Sequence, residues 1–288
     1  GVTATSPRAA ATSNEHYPLG VEGIKAATLP PPGFYYRNYL LYYTFDRVND
    51  IGGDEVPIKP DVDLLVNASR FVWISDFQIL GGYYGADVLV PFYHMEQSIR
   101  PPMAPDDISF SETGVGDIFI EPITISWHGK QYDTSVGAAV FVPTGDFDTV
   151  DSVPLNRGFW TGMFTFGGTA YFDEARTWSA SVLGRYEIHG EQDETNITPG
   201  DDLHLEWGIA KTIKGIDVGV AGYMHWQVTK DKGGASNNDQ DQVFAIGPEV
   251  AGMVKSLPVL ERPMMFSVRA LWEFEARDRP EGFKAIMT

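Results

Sequence analysis

The chain has 288 residues, a net charge of −18, 30 glycines, 13% aromatic residues and no cysteine. That length exceeds a typical single sandwich and suits a large barrel, while the missing cysteines exclude disulfides and thiolate metal sites. The negative charge argues against a nucleic-acid partner, which needs a basic patch, and no run approaches the ~18 apolar residues of a membrane helix.

Residues 1–13 (GVTATSPRAAATS) are small and polar, as at the start of an exported chain after processing. Residues 14–33 do not alternate. A helical turn or two fits 21–27, and Pro30, Pro31 and Pro32 then impose an extended segment poor in donors. The chain therefore divides into a non-strand segment, 1–33, and a strand-rich body, 34–288.

From Phe34 onward side chains alternate with a period of two, which sends successive residues to opposite faces of a strand. About twelve strands follow. The first, 34–45, carries aromatics on both parities. In the second, 62–74, Asp63, Asn67 and Ser69 share a polar face, but Arg70 falls with Val62, Leu64 and Val66, so a bulge is expected near Ser69. The third covers 83–97. In the fourth, 114–127, Ile118 and Ile120 take one parity and Ile123, Ile125 and Trp127 the other, which predicts a bulge near Pro122. The fifth (131–143), sixth (159–172) and seventh (177–189) alternate cleanly. A hairpin, 201–229, supplies the eighth and ninth, with a turn at 211–215. The tenth is 242–254, the eleventh 264–277, and the twelfth begins near Glu281. Residues 281–288 are fewer than the ~9–11 of a spanning strand, so either a tail is missing or the seam is weakly paired there.

Connections at 75–78, 128–130, 173–176 and 211–215 are short, with 256–262 somewhat longer. Those at 47–61, 98–113, 145–157, 190–201 and 230–241 are long and acidic. Solvated loops explain the acid better than cation sites do. Long loops at one end and tight turns at the other are the layout of a transmembrane antiparallel up-and-down β-barrel. Trp160, Trp178, Trp207, Trp226 and Trp272 lie on apolar faces and suit interfacial girdles. The polar faces then line the lumen: Arg185, Glu187, His204, Glu206, Tyr223, His225, Gln227, Arg269, Glu273, Glu275 and Arg277. On this reading the polar face is where a solute path runs, and Lys211 marks the periplasmic border.

Seven stretches sharpen the reading: HYPLGVEGIKAATLPPPGFYYRNY (16–39), GVGDIFIEP (114–122), PTGDFD (143–148), PGDDLHLEWGIAK (199–211), AGYMHWQVTKD (221–231), AIGPEV (245–250) and WEFEARDRPEG (272–282). With them the chain resembles the outer-membrane channel family of meta-pathway phenol-degradation proteins, from end to end. The resemblance implies a twelve-stranded barrel in the bacterial outer membrane that takes up small hydrophobic, often aromatic, molecules. It also favours an N-terminal segment folded into the lumen, where Tyr17, Leu19, Val21, Ile24 and Leu29 form a partly apolar constriction; a periplasmic tail is the alternative.

Nothing marks an enzyme. The residues two after each histidine are Pro18, Glu96, Lys130, Glu191, Glu206 and Gln227, none of them serine. There is no Gly-x-Ser-x-Gly elbow, phosphate loop or His-Glu-x-x-His. His204, Glu206, Tyr223 and His225 read as a hydrogen-bonded lumen network rather than a metal site, and no cofactor is expected. The expected surroundings are outer-membrane lipid and lipopolysaccharide, around a monomer. A narrow general porin for small polar solutes is the alternative function, and a barrel enzyme acting on lipid a more distant one.

Overall fold

The computed structural model describes residues 15–100, 108–145, 156–193, 195–233, 239–254 and 263–288. Expectations for 1–13, for 256–262 and for parts of the loops at 98–113, 145–157, 190–201 and 230–241 lie outside them. The barrel strands are β1 (Gly33–Asn49), β2 (Lys59–Ile79), β3 (Gly82–Arg100), β4 (Ile108–Val115) with β5 (Ile118–His128), β6 (Tyr132–Val142), β7 (Thr161–Tyr171), β8 (Trp178–His189), β10 (Asp202–Ile213), β11 (Ile216–Gln227), β13 (Gln242–Val254), β14 (Met264–Arg277) and β15 (Arg279–Met287). β9 (Ile197–Thr198) and β12 (Lys232–Gly233) pair outside the barrel. β4 and β5 together make one wall element beside β3, which gives twelve wall elements.

Every ladder is antiparallel, and β15 pairs β1 from Leu40↔Met287 to Asn49↔Arg279, which closes the barrel. The last strand thus starts at Arg279, two residues before the sequence suggests. The hairpin turns Leu80–Gly81 and Lys214–Gly215 each hold two residues at positive φ (51° and 78°, 53° and 84°). That is the backbone of a two-residue type I′ turn, whose twist matches the strands it joins. Residues 75–78 are not a turn: β2 runs on to Ile79 through a register shift between Ile74 and Gln78.

The outer face carries Trp160, Phe164, Phe166, Trp178, Val182, Val218, Val220, Ile246, Val268 and Trp272, all exposed. Asp202, His204, Glu206, His225 and Glu187 are fully buried inside. A barrel apolar outside and charged inside is stable where its surroundings are lipid. Lys211 sits beside the Lys214–Gly215 turn, over the Trp178 ring and bonded to Thr177.

The register shift expected near Pro122 is present, between Ile120 and Ile123. The one expected near Ser69 is not: β2 pairs β1 without interruption from Val62 to Ile74. The physical reason is that this part of β2 is inverted relative to the rest of the barrel. Val62, Val66 and Ala68 are buried inward, and Asn67 and Ser69 point outward, where Asn38, Asn67, Ser69 and Tyr36 bond one another. Arg70 therefore reaches the lumen without any bulge.

Candidate functional site

Residues 15–32 run through the barrel interior before β1. Tyr17, Leu19, Val21 and Ile24 are buried against the wall, and Leu29 is half-buried. The turns at 24–27 are hydrogen-bonded Ala26 to Gly23 and Thr28 to Lys25. Strand carboxylates capture the backbone amides of this segment. Glu187 accepts from the amides of His16 (3.1 Å) and Tyr17 (3.0 Å), Glu206 from that of Glu22 (2.9 Å) and Glu249 from that of Ile24 (2.9 Å). Wall donors take its carbonyls: Arg269 bonds Gly20, Ser181 bonds Gly23 and Lys284 bonds Leu19. Hydrogen bonds to charged groups contribute ~1.5–3 kcal/mol each, so the segment is a fixed plug.

Close approach is made possible by missing side chains. A Cβ on Gly208 of β10 would lie 2.7 Å from the Ile24 nitrogen, and one on Gly23 would lie 2.0 Å from Glu249 Oε2. Further ion pairs tie the plug ends: Arg279 to Glu15 at 2.9 Å and Lys25 to Asp217 at 2.7 Å.

Of the residues assigned to the lumen from the sequence, Arg185, Glu187, His204, Glu206, Tyr223, His225, Gln227, Arg269 and Glu273 point inward and are buried. Most of their polar groups bond the plug, each other or neighbouring loop residues such as Asp231 and Asp241. Glu206 bonds Arg185 and the Tyr17 hydroxyl, Tyr223 bonds Glu273, and Arg269 bonds Glu249. Glu275 and Arg277 need correction. β14 shifts register opposite Phe244 and Ala245, so Glu273 and Ala276 are buried inward while Glu275 and Arg277 pair on the outer side, half-exposed to exposed.

The deepest network joins four side chains. Glu187 meets His204 Nε2 at 3.1 Å, the two Nδ1 atoms of His204 and His225 are 2.9 Å apart, and His225 Nε2 meets Asp241 at 2.6 Å. Between the two Nδ1 atoms one ring donates and the other accepts. Glu187, Asp202 and His204, and separately Glu15, His225 and Asp241, bring one donor atom each within 4.8 Å of one another. Such nitrogen and oxygen sets suit divalent transition metals, but here most of the same atoms hold the plug and its hydrogen bonds.

The opposite wall differs. β1, β2, β3, β5 and β6 turn Tyr39, Leu41, Leu64, Val66, Leu89, Phe119 and Phe141 inward. Between this wall and the plug lies a cavity of about 1650 Å³, lined from Gln97 and Arg157 near the long loops to His128, Gly215 and Pro263 near the short turns. Most charged groups on this wall are paired, while Thr124 Oγ1 and Ser126 Oγ of β5 are buried without a hydrogen-bond partner among the described residues. Glu22 of the plug takes both terminal nitrogens of Arg37 at 2.8 Å and the Tyr39 hydroxyl at 3.0 Å. Arg70 chelates Asp87 at 2.7 and 2.8 Å and reaches Glu121 at 3.0 Å.

Sequence reasoning missed Glu22, Arg37, Arg70, Glu249, Lys284 and Gly208. Arg70 left a signal, because its parity disagreed with lipid. Gly208 left another, as an inward glycine beside Glu206.

A family model described as "Putative MetA-pathway of phenol degradation" matches residues 45–288. Among solved structures, an outer membrane channel from Pseudomonas putida F1 superposes with a TM-score of 0.75 at 12% identity, covering 95% of this chain and 98% of that one. The β domain of a Bordetella autotransporter aligns with a TM-score of 0.44 at 10% identity, over 87% of this chain and 97% of that one. No curated protein sequence matches.

Proposed function

Since this chain belongs to the family described as "Putative MetA-pathway of phenol degradation", we propose that it is an outer-membrane channel for small hydrophobic or aromatic molecules. The observation that carries this reading is the apolar half of the lumen wall, which borders a cavity reaching toward both ends of the barrel. An apolar solute loses little on leaving water for such a wall, whereas a polar solute would meet few free partners. The opposite wall offers polar groups, but the plug and neighbouring wall and loop residues already bond most of them. The barrel acts as a monomer, with its long loops toward the outer leaflet and its lipopolysaccharide, its short turns in the periplasm, and no catalytic step.

The test is uptake in cells with and without the gene, comparing toluene with a small sugar. Gene-dependent uptake of toluene alone supports the reading. Gene-dependent uptake of the sugar alone would replace it with a narrow porin for polar solutes.

A further inference from the structure

We propose that Glu187, Asp202 and His204 form a binding site for one divalent transition-metal cation of the zinc type, at the long-loop end of the plug socket. The inference does not depend on which solute the lumen passes.

The pairing of two strands creates the site. Glu187 of β8 stands directly opposite Asp202 of β10, and His204 follows two residues along on the same inward face. All three are fully buried. Like charges directly opposite each other on one face of a sheet repel, and neither carboxylate forms an ion pair with Lys or Arg among the described residues. The basic groups beside them are histidines: His204 lies 3.1 Å from Glu187, and His189 and His225 lie 2.9 and 3.8 Å from Asp202. Two carboxylates buried face to face are costly unless a cation joins them.

Asp202 is the member that points to a cation. Its Oδ2 is bonded to His189, but its Oδ1 is buried without a hydrogen-bond partner among the described residues. Buried carboxylate oxygens are seldom left so. The sequence reads His204 and its neighbours as a hydrogen-bonded network alone, and this unbonded oxygen is what the structure adds. One donor atom from each of Glu187, Asp202 and His204 lies within 4.8 Å of the others. An ion held at ~2.0–2.2 Å needs its ligands ~3–3.5 Å apart. Glu187 and His204 already meet that at 3.1 Å, so Asp202 is the residue that closes in.

The surroundings fit such a ligand set. With a metal on its Nε2, His204 donates from Nδ1 to His225 Nδ1 at 2.9 Å, and His225 Nε2 donates to Asp241 at 2.6 Å. Metal-binding histidines are oriented by a bond of this kind on the other ring nitrogen. Glu187 keeps the bonds it accepts from the His16 and Tyr17 amides, so the ion also fastens the start of the plug. Binding releases the proton between His204 Nε2 and Glu187. One imidazole with two carboxylates suits zinc better than magnesium, which prefers oxygen ligands and keeps its waters. A neighbouring triad, Glu15, His225 and Asp241, also holds one unbonded carboxylate oxygen, Glu15 Oε2. There Arg279 already lies on both carboxylates, at 2.9 and 3.1 Å, and supplies the positive charge.

The experiment uses the full chain in detergent micelles, stripped with a chelator, incubated with zinc chloride or magnesium chloride and gel-filtered before bound metal is counted. One zinc per chain and no magnesium is the expected result. Asp202→Asn keeps the shape and removes the charge. It is expected to weaken zinc binding by at least ~100-fold, beyond what changing a residue behind the ligands costs, whereas Glu15→Gln leaves binding unchanged. The heat-modified shift on gels confirms folded barrels. Crystals of the wild-type chain grown with zinc and measured at the zinc absorption edge give a second reading that needs no variant, with a peak expected between Glu187, Asp202 and His204. No zinc retained by the wild-type chain, magnesium retained equally, or zinc held as tightly by Asp202→Asn overturns the site. So does a zinc peak found only at Glu15, His225 and Asp241 or only on the loops.

Discussion

The two halves of the lumen wall solve different problems. On β8, β10, β11, β13 and β14 many inward positions are charged, and most of their bonds go to the plug and to one another. On β1, β2, β3, β5 and β6 the inward positions are largely apolar, and the cavity lies along them. A polar lumen face is therefore not evidence of a polar solute path. Here it is a socket for a segment of the same chain, and on the proposed function the path runs along the wall that resembles a protein core. The polar face assigned as the solute route from the hairpin 201–229 is the face the plug covers.

Removing one side of this division gives the largest expected effect. Deleting residues 1–30 takes away the plug contacts of residues 15–30, so single-channel conductance in planar bilayers should rise severalfold, and an unchanged conductance would mean that the plug is no barrier. Glu206→Gln comes next. It leaves Arg185 buried without its carboxylate and weakens the hold on Tyr17 and Glu22, which should cost ~3–5 kcal/mol, read as a lower temperature for the heat-modified shift on gels.

Val66→Asp places a charge on the apolar wall, where Val66 is 6% exposed. Toluene uptake should fall to near background with the barrel still folded, while Gln227→Leu on the polar wall should leave uptake unchanged. If the two variants behave alike, the division between the halves has no functional meaning. The smallest effect concerns the short-turn end. The Asp173 carboxyl is held below its usual range by the backbone amide of Trp178, the Thr177 hydroxyl and the Thr177 amide. Its folded value lies below its unfolded one, so its contribution is present above about pH 4 and is lost as pH falls through the folded value. Asp173→Asn should flatten this acid-side loss of stability, measured as unfolding temperature against pH from 5 to 2.5.

The barrel was legible because lipid outside and a filled lumen inside impose the same period of two on almost every strand. The hairpin pairing His204↔His225 and Glu206↔Tyr223 follows from parity and turn length alone. The inversion in β2 was not legible. Parity separates two faces without naming them, and assuming that the apolar face always meets lipid demanded a bulge that does not exist. The apolar lumen wall is the physical reason the assumption failed, and Arg70 was its visible symptom. Glu275 and Arg277 were misplaced because a register shift opposite Phe244 leaves no mark in their own sequence. The plug was suggested by its lack of alternation, but the acceptors of its amides, Glu187, Glu206 and Glu249, depend on closure of the barrel around it.

The central claim is that apolar solutes occupy the cavity between the plug and the apolar wall. Crystals soaked with 4-iodotoluene and measured for anomalous scattering from iodine test it directly. The expected result is an iodine peak within the lumen among Leu64, Leu89 and Phe119. Iodine found only in the outer groove between Phe34, Tyr36, Phe71 and Trp73, a space of about 400 Å³, or only beside the charged wall, would contradict it.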